Sequence, residues 1–132
     1  MNKKNYLDIL PTNFRHEKIF LKENNINSWE SIRDLSDEDI FSLLSKKSLC
    51  TESRLKKIRA IALFIVELKL SPYQAYLLLH SGISSLKTLS TLNPYTLEQK
   101  IGRLERKMRT KTQSELNQKI LKEWIIKSKT LI

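Results

Sequence analysis

The chain has 132 residues, enough for one compact domain or for two small units that share a core. It is 40% hydrophobic and 8% aromatic, with two glycines and three prolines, which argues against a disordered chain and against a β-rich fold. The net charge of +10 favours a polyanionic partner, which could be nucleic acid, an anionic membrane surface or an acidic protein patch.

The cysteine content and the hydropathy pattern predict a cytoplasmic protein. Cys50 is the single cysteine, so no internal disulfide can form, and a reducing compartment is expected. Residues 1–11 contain Asp8 and are followed by no small-residue cleavage site, so they do not form a secretory signal. The most apolar segment, 58–70, contains three charged residues and is too short to span a bilayer. No membrane partner is expected.

Residues 1–13 are predicted to form an N-terminal arm, and residues 14–70 a first helical unit. A helix is expected over 14–23, with Ile19 and Phe20 buried. Asn27, followed three residues later by Glu30, predicts the capped start of a short second helix.

The remainder of this unit is predicted to contain two further helices. Ser36 is an N-cap type, and three acidic residues follow it in the first turn, where the helix dipole favours negative charge. Thr51 or Glu52 begins a longer helix. Its expected buried face, at helical spacing, consists of Leu55, Ile58, Ala62 and Ile65.

Residues 71–132 are predicted to form a second unit of the same kind. Ser71, Pro72 and Gln74 make a capping box with proline at the first helical position. A turn at 81–82 precedes a short helix, and Asn93 opens the next one. Thr112 and Glu115 predict a capping box before the last helix.

The two units repeat one apolar pattern at an offset of 57 residues. The paired positions are Ile26 and Ile83, Trp29 and Leu86, Ile32 and Leu89, Leu35 and Leu92, Ile40 and Leu97, and Leu44 and Ile101. Asn25 and Gly82 keep this offset, and both residue types accept a left-handed turn. The offset grows to 62 between Ile58 and Ile120. The predicted fold is therefore all-α, with two tandem four-helix units packed as one compact pseudo-twofold domain.

The spaced leucines and caps resemble those of the helix-hairpin-helix superfamily. The resemblance is carried by INSWESI at 26–32, LSDEDI at 35–40 and RLKKI at 54–58. The second unit, with LNP at 92–94 and WIIK at 124–127, is similar to an uncharacterised bacterial family of tandem helix-hairpin-helix domains. The resemblance implies that the hairpins contact DNA phosphates. Members that bind DNA usually carry a glycine-apolar-glycine turn there, whereas the segments 47–51 and 104–112 contain no glycine.

Basic side chains are the alternative means of holding phosphate at these two places. Residues 53–70 carry a net charge of +4 and residues 100–132 one of +7. The candidate nucleic-acid-binding residues are Lys46, Lys47, Arg54, Lys56 and Lys57 at the first hairpin and Arg103, Arg106, Lys107, Arg109 and Lys111 at the second. Such side chains bind a sugar-phosphate backbone without reading its sequence. The alternative is that these charges are only solvated helix ends.

The sequence does not predict an enzyme. His16 and His80 lack a ligand-type partner at helical spacing, and no glycine-rich phosphate loop is present, so no metal, cofactor or small-molecule substrate is expected. The favoured function is non-enzymatic, sequence-indifferent binding of nucleic acid, DNA in the first place. The alternative is a small adaptor that binds an acidic protein surface. A shared basic face would favour the first function, and a large exposed apolar patch the second.

Overall fold

The computed structural model describes residues 14–44, 50–108 and 116–132. Within these ranges the chain forms eight α-helices and no β-strand, which confirms the all-α prediction. The helices are α1 (Arg15–Glu23), α2 (Trp29–Arg33), α3 (Asp37–Leu44), α4 (Glu52–Leu68), α5 (Pro72–His80), α6 (Leu86–Ser90), α7 (Pro94–Met108) and α8 (Gln118–Leu131). The predicted arm at 1–13 and the predicted capping box at 112–115 lie outside the described residues.

Four helix starts agree with the sequence prediction. The hydroxyl of Ser36 accepts a hydrogen bond from the backbone N–H of residue 39 at 3.0 Å, and Thr51 caps α4 in the same way at 3.2 Å. Asn93 caps α7 through its side-chain oxygen at 2.7 Å. Ser71 and Gln74 form the complete capping box of α5. Each cap satisfies a backbone N–H that the helix itself leaves without a partner.

One other helix start differs from the prediction, and the start of the last helix lies at a cap that was not predicted. Ser28, and not Asn27, caps α2, because its hydroxyl accepts from the backbone N–H of Ser31 at 3.0 Å. The last helix begins at Gln118, where the Asn117 side chain accepts from the backbone N–H of Ile120 at 3.0 Å. Asn is among the strongest N-cap types, and it sets this boundary.

The left-handed turns were predicted correctly at both positions. Asn25 has a φ of 60° and Gly82 a φ of 93°. After each turn the chain returns to the preceding helix, since Ile26 N–H donates to the Leu21 carbonyl and Ile83 N–H donates to that of Leu78. The two turns therefore have the same backbone hydrogen bond.

Helix α4 lies at the centre of the core. Helices α2 and α3 pack on α4, and helices α6 and α7 pack on α8. Helix α4 also contacts α5 and α8. Leu55, Ile58 and Ala62 are buried as predicted, whereas Ile65 is only half-buried. Ile61 is also fully buried. Because α4 has neighbours on several sides, a single buried face was too narrow a prediction.

Helix α1 presents a different face to the core from the one predicted. Phe20 is buried, but Ile19 is 55% exposed, so the prediction for Ile19 was wrong. Leu21 and Glu17 are fully buried instead. The Glu17 carboxylate accepts a hydrogen bond from the backbone N–H of Thr51 at 3.1 Å, which ties α1 to the start of α4.

The N-caps of α4 and α8 are spaced differently from the apolar pattern of the sequence. Ile58 and Ile120 are 62 positions apart, whereas Thr51 and Asn117 are 66 apart. Leu55 and Leu121 share this spacing, and both are buried. Helix α7 has 15 residues against 8 in α3, which accounts for most of the added length.

Candidate anion-binding surface

A groove of about 500 Å³ runs along one side of α4. We call it the α4 groove. Its lining residues are Arg33, Leu35, Lys56, Lys57, Arg59, Ala60, Leu63, Leu79 and Ser84. Four of these side chains are cationic, and they come from α2 and α4.

The two arginines of the α4 groove are held by partners within the protein. Arg33 on α2 pairs with Glu67 on α4, with Nη1 3.0 Å from Oε1. Arg59 pairs with Asp37 at 2.8 Å and also donates to the Leu35 carbonyl at 3.0 Å. The guanidinium of Arg59 lowers the pKa of the Asp37 carboxyl through a hydrogen bond and its charge. These arginines connect α2 and the start of α3 to α4.

One of the two lysines of the α4 groove is also paired. Lys56 Nζ lies 2.8 Å from the Glu52 carboxylate, one turn earlier in α4, and this contact raises the pKa of the lysine. Lys57 is exposed and has no carboxylate partner within the described ranges. The positive charge of the α4 groove is therefore largely compensated, with Lys57 as its free cation in this part of the chain.

A second groove, of about 360 Å³, lies beside α7. We call it the α7 groove. Its lining residues are His80, Ser81, Lys100, Arg103, Leu104 and Lys107. The three cations are spaced three and four residues apart, which places them on one face of the helix.

The cations of the α7 groove have no carboxylate partner among the described residues. Helix α7 has two acidic residues, and each is contacted by another helix. Glu98 accepts from the Gln118 amide of α8 at 3.1 Å, and Glu105 accepts from the Tyr73 hydroxyl of α5 at 3.3 Å. The α7 groove therefore presents uncompensated positive charge, unlike the α4 groove.

His80 lines the α7 groove, and two contacts hold its ring. The ring stacks on Tyr76 with 3.9 Å between centroids, and Nδ1 lies 3.2 Å from the Tyr76 carbonyl oxygen. Because a carbonyl oxygen only accepts, Nδ1 carries the hydrogen and Nε2 remains as the acceptor of the neutral ring. Burial lowers the pKa of His80, the hydrogen bond to Tyr76 opposes this, and the charge of Lys57 lowers the pKa further.

The two grooves flank the same turn, between α5 and α6. Leu79 and Ser84 line the α4 groove, whereas His80 and Ser81 line the α7 groove. Lys57 acts electrostatically on His80, so the free cation of α4 lies near this turn as well. The structure thus brings basic side chains from α4 and α7 to the two sides of one short segment.

The predicted site residues fall into four groups. Lys56 and Lys57 line the α4 groove, and Arg103 and Lys107 line the α7 groove. Two others line neither groove. Arg54 is half-buried in the first turn of α4, and exposed Arg106 has its guanidinium near Gly102. The remaining candidates, Lys46, Lys47, Arg109 and Lys111, lie outside the described residues.

Sequence reasoning missed several groove residues. Lys100 could have been found from its spacing to Arg103 and Lys107, which defines one helix face. Arg33 and Arg59 reach the α4 groove through tertiary packing, for which the sequence carries no local signal. The same holds for Ser81, whose hydroxyl is closed to solvent and makes no hydrogen bond within the described part of the chain.

The described ranges contain neither a metal-binding cluster nor a membrane-spanning helix. No three His, Cys, Asp or Glu side chains come together there as a metal site would require. Within the same ranges, every helix is too short or too polar to cross a membrane.

The fold and the grooves define an all-α protein with a basic concave surface. Residues 11–131 match the family described as "Domain of unknown function (DUF4332)", and the chain belongs to this family. Comparison with curated proteins and with solved structures gave no match.

Proposed function

We propose that this protein is a non-enzymatic binder of nucleic acid, in the first place DNA, that contacts the phosphate backbone without reading sequence. The observation that carries the proposal is the α7 groove, where three cations on one helix face have no carboxylate partner within the described ranges. Unpaired lysine and arginine side chains attract phosphates, and binding releases the counterions condensed on the nucleic acid. Paired cations contribute less, because binding must first displace their carboxylates.

Lys57 extends the proposed contact surface from the α7 groove towards α4. It is exposed, and it lies close enough to His80 to affect the pKa of the imidazole. A backbone that passes over the turn between α5 and α6 would meet cations on both sides of it. Among the described residues, no Phe, Tyr or Trp side chain lines either groove, and the His80 ring is already stacked on Tyr76, so base stacking forms no part of the proposal.

The proposal includes a tandem architecture and a cytoplasmic location. The units are residues 14–70 and 71–132, each of helix-hairpin-helix type, related by a pseudo-twofold axis. Supporting this, α1 and α5 each have nine residues, α2 and α6 each have five, and the turns before α2 and α6 have the same hydrogen bond. The location rests on the single cysteine.

The test is fluorescence anisotropy with a labelled duplex of random sequence at physiological salt. Wild-type protein is expected to bind with a Kd of about 1 to 100 μM, the range typical of non-specific binding. A triple variant, Lys100→Ala, Arg103→Ala and Lys107→Ala, should lose most of this affinity. The matched control replaces three exposed lysines of α8 that line neither groove, namely Lys119, Lys122 and Lys127. Equal loss in both variants would refute a specific role for the α7 groove.

A second candidate function is an adaptor that binds an acidic protein surface. The observation in its favour is Phe41 on α3, whose side chain is 72% exposed, since exposed aromatic residues are enriched at protein interfaces. Under this proposal the Phe41→Ala variant would lose an acidic protein partner and keep its stability. The same substitution should leave duplex binding unchanged if nucleic acid is the ligand.

A further inference from the structure

We propose that the end of the α7 groove beside His80 and Ser81 is a binding site for a phosphate monoester group. The inference rests on the proposed function and makes it more specific, because it distinguishes a terminal phosphate from the diesters of the backbone. The site would be formed by His80, Ser81 and the cations Lys100, Arg103 and Lys107, which line one concavity.

The charge of the α7 groove suits a dianion better than a diester. A phosphate monoester carries a charge of about −1.5 to −2 at pH 7, because its second pKa is about 6. A backbone diester carries a single negative charge. The groove has three cations without a carboxylate partner in the described chain, so a more highly charged group gains more from it.

His80 provides a chemical means of recognising a protonated phosphate. Its Nδ1 is occupied by the Tyr76 carbonyl, which leaves Nε2 as the acceptor of the neutral ring. The monoanion of a phosphate monoester, which predominates below its second pKa of about 6, and the inorganic hydrogen phosphate dianion each retain a hydroxyl that can donate a hydrogen bond to Nε2. The monoester dianion has no such proton, and the three cations and the Ser81 hydroxyl would hold it instead. A diester and a sulfate dianion also have no such proton. Lys57 on α4 acts electrostatically on this ring, the three α7 cations line the same groove, and the ring stacks on Tyr76 of its own helix.

The environment of the Ser81 hydroxyl also indicates a ligand at this place. The hydroxyl oxygen is buried and has no hydrogen-bond partner among the described residues, an arrangement that is unfavourable without a compensating role. Ser81 also lines the groove, so a χ1 rotation between staggered rotamers can offer the hydroxyl to a bound phosphate oxygen. The neighbouring Ser84 is exposed and lines the α4 groove, which makes it a matched control.

The first experiment is calorimetric titration of the full chain with inorganic phosphate and, separately, with inorganic sulfate. Phosphate should bind more tightly than sulfate, and the Ser81→Ala variant should lose about tenfold in phosphate affinity, equivalent to about 1.4 kcal/mol. The Ser84→Ala variant should bind phosphate like the wild type. Equal phosphate affinity in the two serine variants, or equal affinity for phosphate and sulfate, would overturn the proposed site.

The second experiment compares a duplex with 5′-phosphate ends and the same duplex with 5′-hydroxyl ends. Tighter binding of the phosphorylated duplex, lost in Ser81→Ala, would identify the nucleic-acid end as the source of the monoester. Phosphate binding with no gain from the 5′-phosphate would support the site with a free phosphate compound as its ligand. Binding of the 5′-hydroxyl duplex with no binding of phosphate would overturn the site and leave the proposed function standing. The reverse result would overturn the function and leave the site.

Discussion

Arg59 is expected to stabilise the fold, whereas Arg103 is expected to be free for ligand, and substitution separates these two roles. The Arg59 guanidinium donates to the Leu35 carbonyl at 3.0 Å, which joins α4 to the loop between α2 and α3. A hydrogen bond from a charged donor contributes about 1.5 to 3 kcal/mol. Because the Arg59 side chain is 26% exposed, the low end applies, and the Arg59→Met variant should lose about 1.5 to 2 kcal/mol of unfolding free energy.

Methionine keeps much of the apolar stem of arginine, so the lost unfolding free energy measures the contribution of the guanidinium. For a chain of this length the expected fall in Tm is about 5 to 10 °C, measured by circular dichroism and checked by urea unfolding. The control, Arg103→Met, should change the unfolding free energy by less than about 0.5 kcal/mol, as for an ordinary surface site. If both variants lose the same stability, the distinction between paired and free cations is refuted.

Three further predictions concern the turns, α7 and pH. The Gly82→Ala variant should lose about 1 to 2 kcal/mol of unfolding free energy, measured by urea unfolding, because a Cβ is strained at a φ of 93°. An unchanged urea midpoint would contradict the turn geometry. The Gly102→Ala variant should gain about 0.5 to 1 kcal/mol of unfolding free energy, because alanine favours the helix and the added Cβ would lie 3.7 Å from the nearest Arg106 nitrogen. A lower unfolding free energy would mean that this space is filled. Wild-type stability should fall as the pH drops through about 6.5, because the pKa of folded His80 is lowered and the unfolded chain takes up the proton first. Unfolding of His80→Gln, measured between pH 7.5 and 5, should show a smaller fall, and an identical fall would exclude His80 as its source.

The helix caps and turns could be predicted because their hydrogen bonds are local. Ser71 and Gln74 satisfy each other's backbone across one turn, and Gly82 sits where the chain needs a positive φ. Such features depend on residues within a few positions, which a sequence shows directly. The one-residue error at Ser28 has the same origin, because Asn27 and Ser28 are both good caps and only the structure shows which side chain is used.

The sequence could not predict which charged side chains are buried or paired in the fold. Glu17 is buried because it accepts from the backbone of Thr51, 34 positions away. Arg33 reaches Glu67 across the same separation. The sequence therefore shows how many cations flank each segment but not which of them are already paired. Among the described residues, that distinction favours the α7 face as the candidate site, and the sequence analysis missed Lys100 there although its spacing to Arg103 and Lys107 would have revealed it.

Phosphate contact by the α7 groove is tested most directly by the salt dependence of duplex binding, measured by anisotropy at several salt concentrations. A plot of log K against log salt gives a slope of about −0.9 for each phosphate contact. If Lys100, Arg103 and Lys107 each contact a phosphate, the triple alanine variant at these positions should make the slope shallower by about 2.7. The triple alanine variant at Lys119, Lys122 and Lys127 should leave the slope unchanged. Equal slopes for wild type and the α7 variant would contradict phosphate contact by the α7 groove.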